Sequence, residues 1–275
     1  MSKVRIGVAG AAGRMGIMIL KEIIDRSDSE VVSGLVRVGS KVVGNDLGVI
    51  AGQGEIEVVA SDDISSCFQV ADVMIDFTLP DAIEEHAAAA SGTKTPWIVG
   101  TTGLSGEQER VLGNASREVP VVFASNMSLG VNLLFALVEQ VAGILDDNYD
   151  IEILDFHHNK KVDAPSGTAI TLGESAALGR GVKFGVNTTL SREGLVGARP
   201  RGEIGFSALR GGSVVGEHAV MFASPGERVE LHHKASDRGI YAAGAVAAAH
   251  WVKDKPVGLY SMKDVLGIKS PKSDA

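Results

Sequence analysis

The chain has 275 residues, with 26 Lys and Arg against 34 Asp and Glu, a formal charge of −8 and 45% hydrophobic residues, the balance of an ordinary globular protein. That charge repels phosphate backbones and anionic lipid headgroups, and no Lys/Arg run exceeds two residues, so neither a nucleic-acid partner nor a membrane partner is expected. Cys67 is the single cysteine, which excludes an internal disulfide framework and a cysteine-cluster metal site and fits a reducing cytoplasm.

Residues 3 to about 125 alternate short β-branched runs with helix-like segments. The strand candidates are Val4 to Ala9, Val31 to Val36, Ile56 to Val59, Val73 to Phe77, Trp97 to Gly100 and Val121 to Ala124. Helix candidates run from Arg14 to Asp25, from Asp81 to Ala90 after Pro80, and from Ser105, a capping residue, to Glu118. Apolar strands alternating with helices imply a parallel sheet covered on both faces. After Asn126 the pattern changes. A helix from Leu129 to Leu145 leads to a strand, Ile151 to Phe156, then a polar loop and a short helix starting near Ser166. Asn132, Glu139 and Gln140 interrupt the apolar stretch from Met127, so it reads as a buried helix and no membrane span is expected. Arg14 likewise breaks the N-terminal apolar stretch, and no secretory signal is expected. Residues 180 to 202 read as a long loop. Ile204 to Leu209, Val214 to Phe222 and Arg228 to His233 read as three consecutive strands whose short turns make them antiparallel neighbours. A small-residue helix from Ile240 to Trp251 follows, and the tail reads as loop.

Gly10, Ala11, Ala12, Gly13, Arg14, Met15 and Gly16 follow the first strand and open the first helix. Glycines there let the backbone turn sharply and approach a pyrophosphate, whose charge rests on free amides at the helix start, while Arg14 adds a positive charge. The residue that reads the adenine ribose is expected about 20 positions on, which falls on Val36 and Arg37. An acid at that place would accept from the 2′-hydroxyl of NADH. Val36 cannot, and Arg37 can pair with a 2′-phosphate, so NADPH is the expected cofactor, with NADH weaker. Phe77, Thr78, Gly100, Thr101, Thr102, Ser125, Asn126 and Met127 sit at further strand ends, where ligands of open α/β sheets lie. Turn chemistry alone also accounts for Gly100-Thr101-Thr102-Gly103.

The densest chemistry runs from Asp155 to Ala169. Ser166 is placed to cap a helix whose first amides, near Gly167 and Thr168, form an anion site. His157, His158, Lys160 and Lys161 concentrate proton donors and positive charge nearby, which suits a small acidic substrate bearing a carboxylate. Adjacent histidines on a strand face opposite ways and no ligand-spaced histidines appear, so no metal is expected.

Val8 to Gly16, Asp76-Phe77-Thr78, Gly100 to Gly103, His157-His158, Lys161 to Ala169, Gly216-Glu217-His218 and His233 to Ser236 closely resemble the 4-hydroxy-tetrahydrodipicolinate reductase family over essentially the whole chain. The resemblance implies a cytoplasmic homotetramer carrying out the reductive step of the diaminopimelate route to lysine on a small dicarboxylate. It implies that His157 and Lys161 are the catalytic donors and that His158, Ser166, Gly167, Thr168 and Arg238 hold the substrate, with Lys161 also against it. Val36 and Leu79 depart from the pattern of other members. The expected fold is α/β: a doubly wound parallel (Rossmann) sheet plus a second α+β domain with a mixed or antiparallel sheet. Residues 1–126 and 239–275 are the expected dinucleotide-binding domain, and 127–238 the substrate-binding and oligomerisation domain. Two rival readings use the same residues. An NADP-binding redox sensor without turnover would keep Gly10 to Gly16 but has no need of Lys161 beside Ser166, and a His-based metallohydrolase would need a bound metal.

Overall fold

The computed structural model describes residues 2–268. In chain order these form β1 (Val4–Ala9), α1 (Arg14–Ile24), β2 (Ser29–Leu35), α2 (Leu47–Ala51), β3 (Ala60–Ser61), α3 (Ile64–Gln69), β4 (Val73–Asp76), α4 (Ile83–Thr93, entered through a 3-10 turn at Pro80–Ala82), β5 (Trp97–Val99), α5 (Gly106–Ala115) and β6 (Pro120–Phe123). There follow α6 (Leu129–Ile144), β7 (Asp150–His157), α7 (Gly167–Gly179), β8 (Thr188–Thr189), β9 (Ile204–Arg210), β10 (Gly216–Ala223), β11 (Arg228–Ala235), α8 (Gly239–Val252), β12 (Gly258–Tyr260) and α9 (Met262–Val265). Contacts divide the chain into two units, one running through Leu129 and resuming at Gly239, the other Gly130–Arg238.

The first unit holds a seven-stranded, all-parallel sheet in the order β3-β2-β1-β4-β5-β6-β12. The winding reverses between β1 and β4, and a ligand crevice lies outside the carboxyl ends of the strands at such a reversal. Alternate side chains serve opposite faces. Ile6, Val8, Ile75, Ile98 and Val122 join Ile19, Leu20 and Ile23 of α1 and Ala245 and Ala249 of α8. Met74, Trp97, Val99 and Val121 join Phe68 of α3, Ile83 of α4 and Leu112 of α5. The small residues of α8 allow a close approach: a Cβ on Gly244 would stand 1.7 Å from the Met127 carbonyl oxygen.

The second unit carries a five-stranded mixed sheet, β11-β10-β7-β9-β8. Pairings of β10 with β7 and β11 are antiparallel; those of β9 with β7 and β8 are parallel. Ile151, Ile153, Phe206, Val220 and Phe222 meet Val131, Leu134 and Val138 of α6 and Leu172 and Ala176 of α7. Arg192 ties the long connection before β9 to the sheet by a bidentate pair with Glu152, at 2.9 and 2.8 Å, and Arg199 reaches Asp150 at 2.7 Å and Glu152 at 2.9 Å.

The short helices α2 and α3 were not expected, β8 falls in the stretch read as a long loop, and three further features differ from the sequence reading. The third strand is Ala60–Ser61, displaced from Ile56 to Val59. The cause is local: the Asp46 carboxylate, cap of α2, takes the Ile56 amide at 3.1 Å, and Glu57 turns to φ +61, outside the extended region. β9 and β10 are not neighbours, because β7 lies between them and pairs with both. Hydrogen-bonding demand at both edges of the apolar β7 overrides the short-turn rule there. The tail, read as loop, adds β12 to the edge of the first sheet and the helix α9.

Candidate active site

The inner face of β7 changes character along its length. Ile151 and Ile153 are core, while Asp155 and His157, two and four residues further on, carry polar groups on the same face. Register extends the polar end sideways, since His218 of β10 stands opposite Asp155, His233 of β11 opposite His218, and Arg210 of β9 opposite His157. Asp155 is 1% exposed. Its Oδ2 accepts from the Ser166 amide at 2.7 Å and from Arg210 Nη2 at 3.1 Å. Its Oδ1 lies 2.6 Å from His157 Nδ1, an ion-pair distance without the alignment of a hydrogen bond, and 3.6 Å from His218 Nε2. Burial alone would raise the Asp155 carboxyl; His157, the Ser166 amide and Arg210 more than offset that and hold it well below the usual carboxylate range. His218 goes the other way, pushed down to about 4 by burial against the opposing pull of Asp155.

Ser166 starts α7 as its sequence suggests. Its hydroxyl accepts from the Ala169 amide at 3.2 Å and pairs with His218 Nε2 at 3.1 Å. Since its amide serves Asp155, both polar groups of Ser166 are engaged inside the protein, and the first-turn amide of exposed Gly167 has no i−4 carbonyl inside the helix. Lys161 Nζ lies 2.8 Å from each Asp163 carboxylate oxygen, and Arg210 Nη2 donates to the Asp163 carbonyl at 2.7 Å. His158 leaves the inner face: its amide donates to Val214 O at 2.8 Å and its Nδ1 accepts from the Lys160 amide at 3.2 Å. Thr168 is half-buried in the first turn of α7. Arg238 is exposed at the end of the unit and makes no bond to this cluster among the described residues.

In the first unit the strand-end motifs meet. Gly10 adopts φ +76, the left-handed region that suits glycine, and its amide and that of Ala11 hang from Leu35 O at 2.9 and 3.1 Å. A Cβ on Gly16 would come within 2.1 Å of Gly10 O, so only glycine lets α1 press on the turn. Ala12, Gly13 and Arg14 are exposed and Met15 is half-buried; α1 has no side-chain cap and no acid in its first turn. Such a helix start fits the pyrophosphate of a dinucleotide. The Phe77 ring occupies the space a Gly100 Cβ would need, Thr78 Cγ2 would be 3.2 Å from a Cβ on Gly10, and Thr101 Oγ1 donates to Thr78 O at 3.3 Å. Ends of β1, β4 and β5 are thus in direct contact at the winding reversal. Thr102 and Ser125 are exposed, Asn126 accepts from the Ser128 amide at 2.9 Å, and the Met127 side chain belongs to the core. Arg37 is exposed just past β2.

Sequence reasoning named Asp155, His218 and Asp76 within motifs without giving them a place in the site, and passed over Arg210 altogether. Asp155, His218 and Arg210 were legible only once register was known. Asp76 acts in the other unit: fully buried, it accepts from the Thr78 amide (3.0 Å) and hydroxyl (2.6 Å) and from Trp97 Nε1 (3.2 Å), with His86 Nδ1 at 2.7 Å, and so fixes the Phe77-Thr78 turn. Asp155, His157 and His218 also place one ligand atom each within 4.8 Å of one another, a grouping that chain spacing hides because His218 comes from another strand. The Arg210 guanidinium beside that carboxylate opposes a dication.

Family models described as "Dihydrodipicolinate reductase, N-terminus" and "Dihydrodipicolinate reductase, C-terminus" match residues 4–127 and 130–266. A 4-hydroxy-tetrahydrodipicolinate reductase of Beijerinckia indica is 49% identical over 98% of this chain and 99% of its own, and one of Methylocella silvestris 50% identical over 98% of each. Among solved structures, the dipicolinate-bound dihydrodipicolinate reductase of Paenisporosarcina sp. TG-14 shares the fold with a TM-score of 0.76 at 22% identity, covering 94% of this chain and 97% of that one. The chain belongs to the dihydrodipicolinate reductase family and is an NAD(P)H-dependent oxidoreductase.

Proposed function

We propose that the protein reduces 4-hydroxy-tetrahydrodipicolinate to tetrahydrodipicolinate in the diaminopimelate route to lysine, with NADPH preferred over NADH. The names its relatives carry support the substrate, and the dipicolinate held by the solved relative is a ring dicarboxylate of the same class. Residues 1–126 and 239–275 act as the dinucleotide domain, and 127–238 as the substrate and oligomerisation domain. The 4-hydroxyl leaves the ring as water, and the reduced nicotinamide, when bound, supplies hydride to the unsaturated ring that remains. Lys161 and His157 supply the proton, while His158, Thr168, Arg238 and the Gly167 amide hold carboxylates and so orient the ring. Ser166 serves by fixing the helix start, its own groups being engaged.

One observation carries this reading: His157, the Lys161 loop and the start of α7 are drawn together around one buried carboxylate, that of Asp155. A redox sensor without turnover has no need of that assembly. The test is oxidation of NADPH, followed at its near-ultraviolet band, on adding the cyclic product of pyruvate and aspartate semialdehyde. No oxidation above the substrate-free rate would overturn it.

The same reading makes the protein a cytoplasmic homotetramer. The face of the second sheet turned from α6 and α7 carries half-buried Leu154, Phe156 and Met221 and exposed Leu209, an apolar surface suited to a second copy. No described helix is long and apolar enough to cross a membrane. Sedimentation equilibrium reads the assembly directly.

A further inference from the structure

Asp155 has no assigned role in the reaction, yet it is the residue on which the second unit's polar groups converge. Three elements meet at its carboxylate: the end of its own strand β7 through His157 Nδ1 (2.6 Å), the start of α7 through the Ser166 amide (2.7 Å), and, 55 residues away, the end of β9 through Arg210 Nη2 (3.1 Å). Arg210 passes the connection on. Its Nη2 also donates to the Asp163 carbonyl (2.7 Å), and the Asp163 carboxylate holds Lys161 Nζ at 2.8 Å. At 1% exposure Asp155 is out of reach of a substrate, so whatever it contributes passes through its neighbours.

We propose that Asp155 is a positioning residue, a buried carboxylate that sets His157 directly, the Lys161 loop through Arg210 and Asp163, and the α7 start through Ser166, in one mutual arrangement. The inference rests on the reductase reading above. The physical argument is over-determination: a proton donor displaced by an ångström loses about 10²-fold in rate, and two donors on separate segments stay aligned only if something fixes both. A buried charge partnered on both oxygens does that, because each partner lost leaves the others with a desolvated ion. A dication held by Asp155, His157 and His218 is the rival use of the same atoms. It would share one carboxylate with the Arg210 guanidinium, and like charges at that spacing repel.

Asp155→Asn separates the possibilities, because the amide keeps an oxygen to accept from Ser166 while losing the charge that faces His157 and Arg210. Three quantities are measured on the full-length variant: kcat, the Kd of dipicolinate, and the Kd of NADPH by fluorescence. The expected result is a kcat lower by about 10²-fold, with both Kd values within about three-fold of wild type, and recovery of at least about ten-fold of the loss in Asp155→Glu. A kcat near wild type overturns the proposal, as does a dipicolinate Kd that rises as much as kcat falls, since Asp155 would then anchor substrate. Arg210→Gln removes the cation that joins the Asp155 carboxylate to the Lys161 loop while leaving His157 and the Ser166 amide on that carboxylate, and decides the matter should Asp155→Asn not fold: a lowered kcat with unchanged Kd values supports the proposal, and wild-type kcat overturns it. Wild-type activity lost on chelation and restored by zinc also overturns it, in favour of the metal. Failure of the reductase reading shows differently, as a wild-type protein that binds NADPH but does not turn over the cyclic substrate.

Discussion

Gly216 of β10 lies against the imidazole of His157: a Cβ built there would stand 3.0 Å from Nε2. That is closer than a methyl and a ring nitrogen settle, so the ring must give by a few tenths of an ångström. Gly216→Ala is therefore expected to lower kcat by about 3- to 10-fold, scaled from the cost of larger misplacements, with NADPH affinity unchanged. Steady-state kinetics beside NADPH fluorescence titration check it, and an Ala variant with wild-type kcat would show that the ring is free to move or takes no part.

On the proposed reading Lys161 and His157 deliver the proton. Lys161→Ala and His157→Ala should each lower kcat by about 10²-fold or more, the usual worth of a positioned acid, and leave NADPH binding nearly intact because the cofactor motifs lie in the other unit. Turnover of Lys161→Ala near the wild-type rate would remove Lys161 from the mechanism. Asp163→Asn probes the same group from outside, since it releases Lys161 Nζ from its two 2.8 Å contacts. A change in KM without one in kcat would mean that the pair holds substrate and does not tune proton delivery.

How much of this was legible beforehand depended on whether the signal was local. Gly10 to Gly16 announced a turn and a helix start because glycine spacing and a strand before it are neighbours in sequence, and Ser105 and Ser166 announced their caps for the same reason. Asp155 opened the densest stretch and His218 closed a motif, but nothing in sequence joined them to each other or to Arg210, because His218 and Arg210 lie 63 and 55 residues from Asp155 and meet it only through β7 lying between β9 and β10. A sheet order of that kind is set by which strand is apolar enough to sit centrally, and no turn residue records it. The seventh strand of the first sheet escaped notice because Gly258–Tyr260 is too short to show a period.

His218 gives the fold a pH dependence of known sign. Its folded value lies near 4 against an ordinary value of 6.5. Above pH 6.5 both folded and unfolded forms are neutral there and the residue contributes nothing. Between pH 6.5 and 4 the unfolded chain takes up a proton that the folded chain refuses, so stability falls as pH falls, by on the order of 3 kcal/mol when complete. Burial also lowers His233 and His250, which add to the wild-type slope. Urea midpoints measured from pH 7 to 4 should therefore slope less steeply in His218→Asn than in wild type, and parallel slopes would mean that His218 is protonated in the folded protein.

The proposed preference for NADPH rests on Arg37 and Val36, adjacent residues that the fold treats differently. Arg37 is exposed past the end of β2 and makes no ion pair among the described residues, leaving its guanidinium available to a 2′-phosphate. Val36 is 5% exposed, packed in the cluster with Ala11 and Leu47, and its amide donates to Ser61 O at 2.9 Å. A charge-assisted contact from Arg37 is worth about 1.5–3 kcal/mol, or roughly 10- to 150-fold in affinity, less as salt screens it. Arg37→Ala should erase most of the NADPH preference by raising the KM for NADPH while leaving that for NADH nearly unchanged. The burial of Val36 alters the expectation that sequence alone suggests for Val36→Glu. A carboxylate there must first leave water, so the variant should lose stability, with a lower melting temperature, before it gains any hold on an NADH ribose. Values of kcat/KM for both cofactors at low and moderate salt, with the melting temperature of each variant, separate these effects. Equal wild-type kcat/KM for the two cofactors, or an unchanged ratio in Arg37→Ala, would show that the end of β2 does not read the ribose.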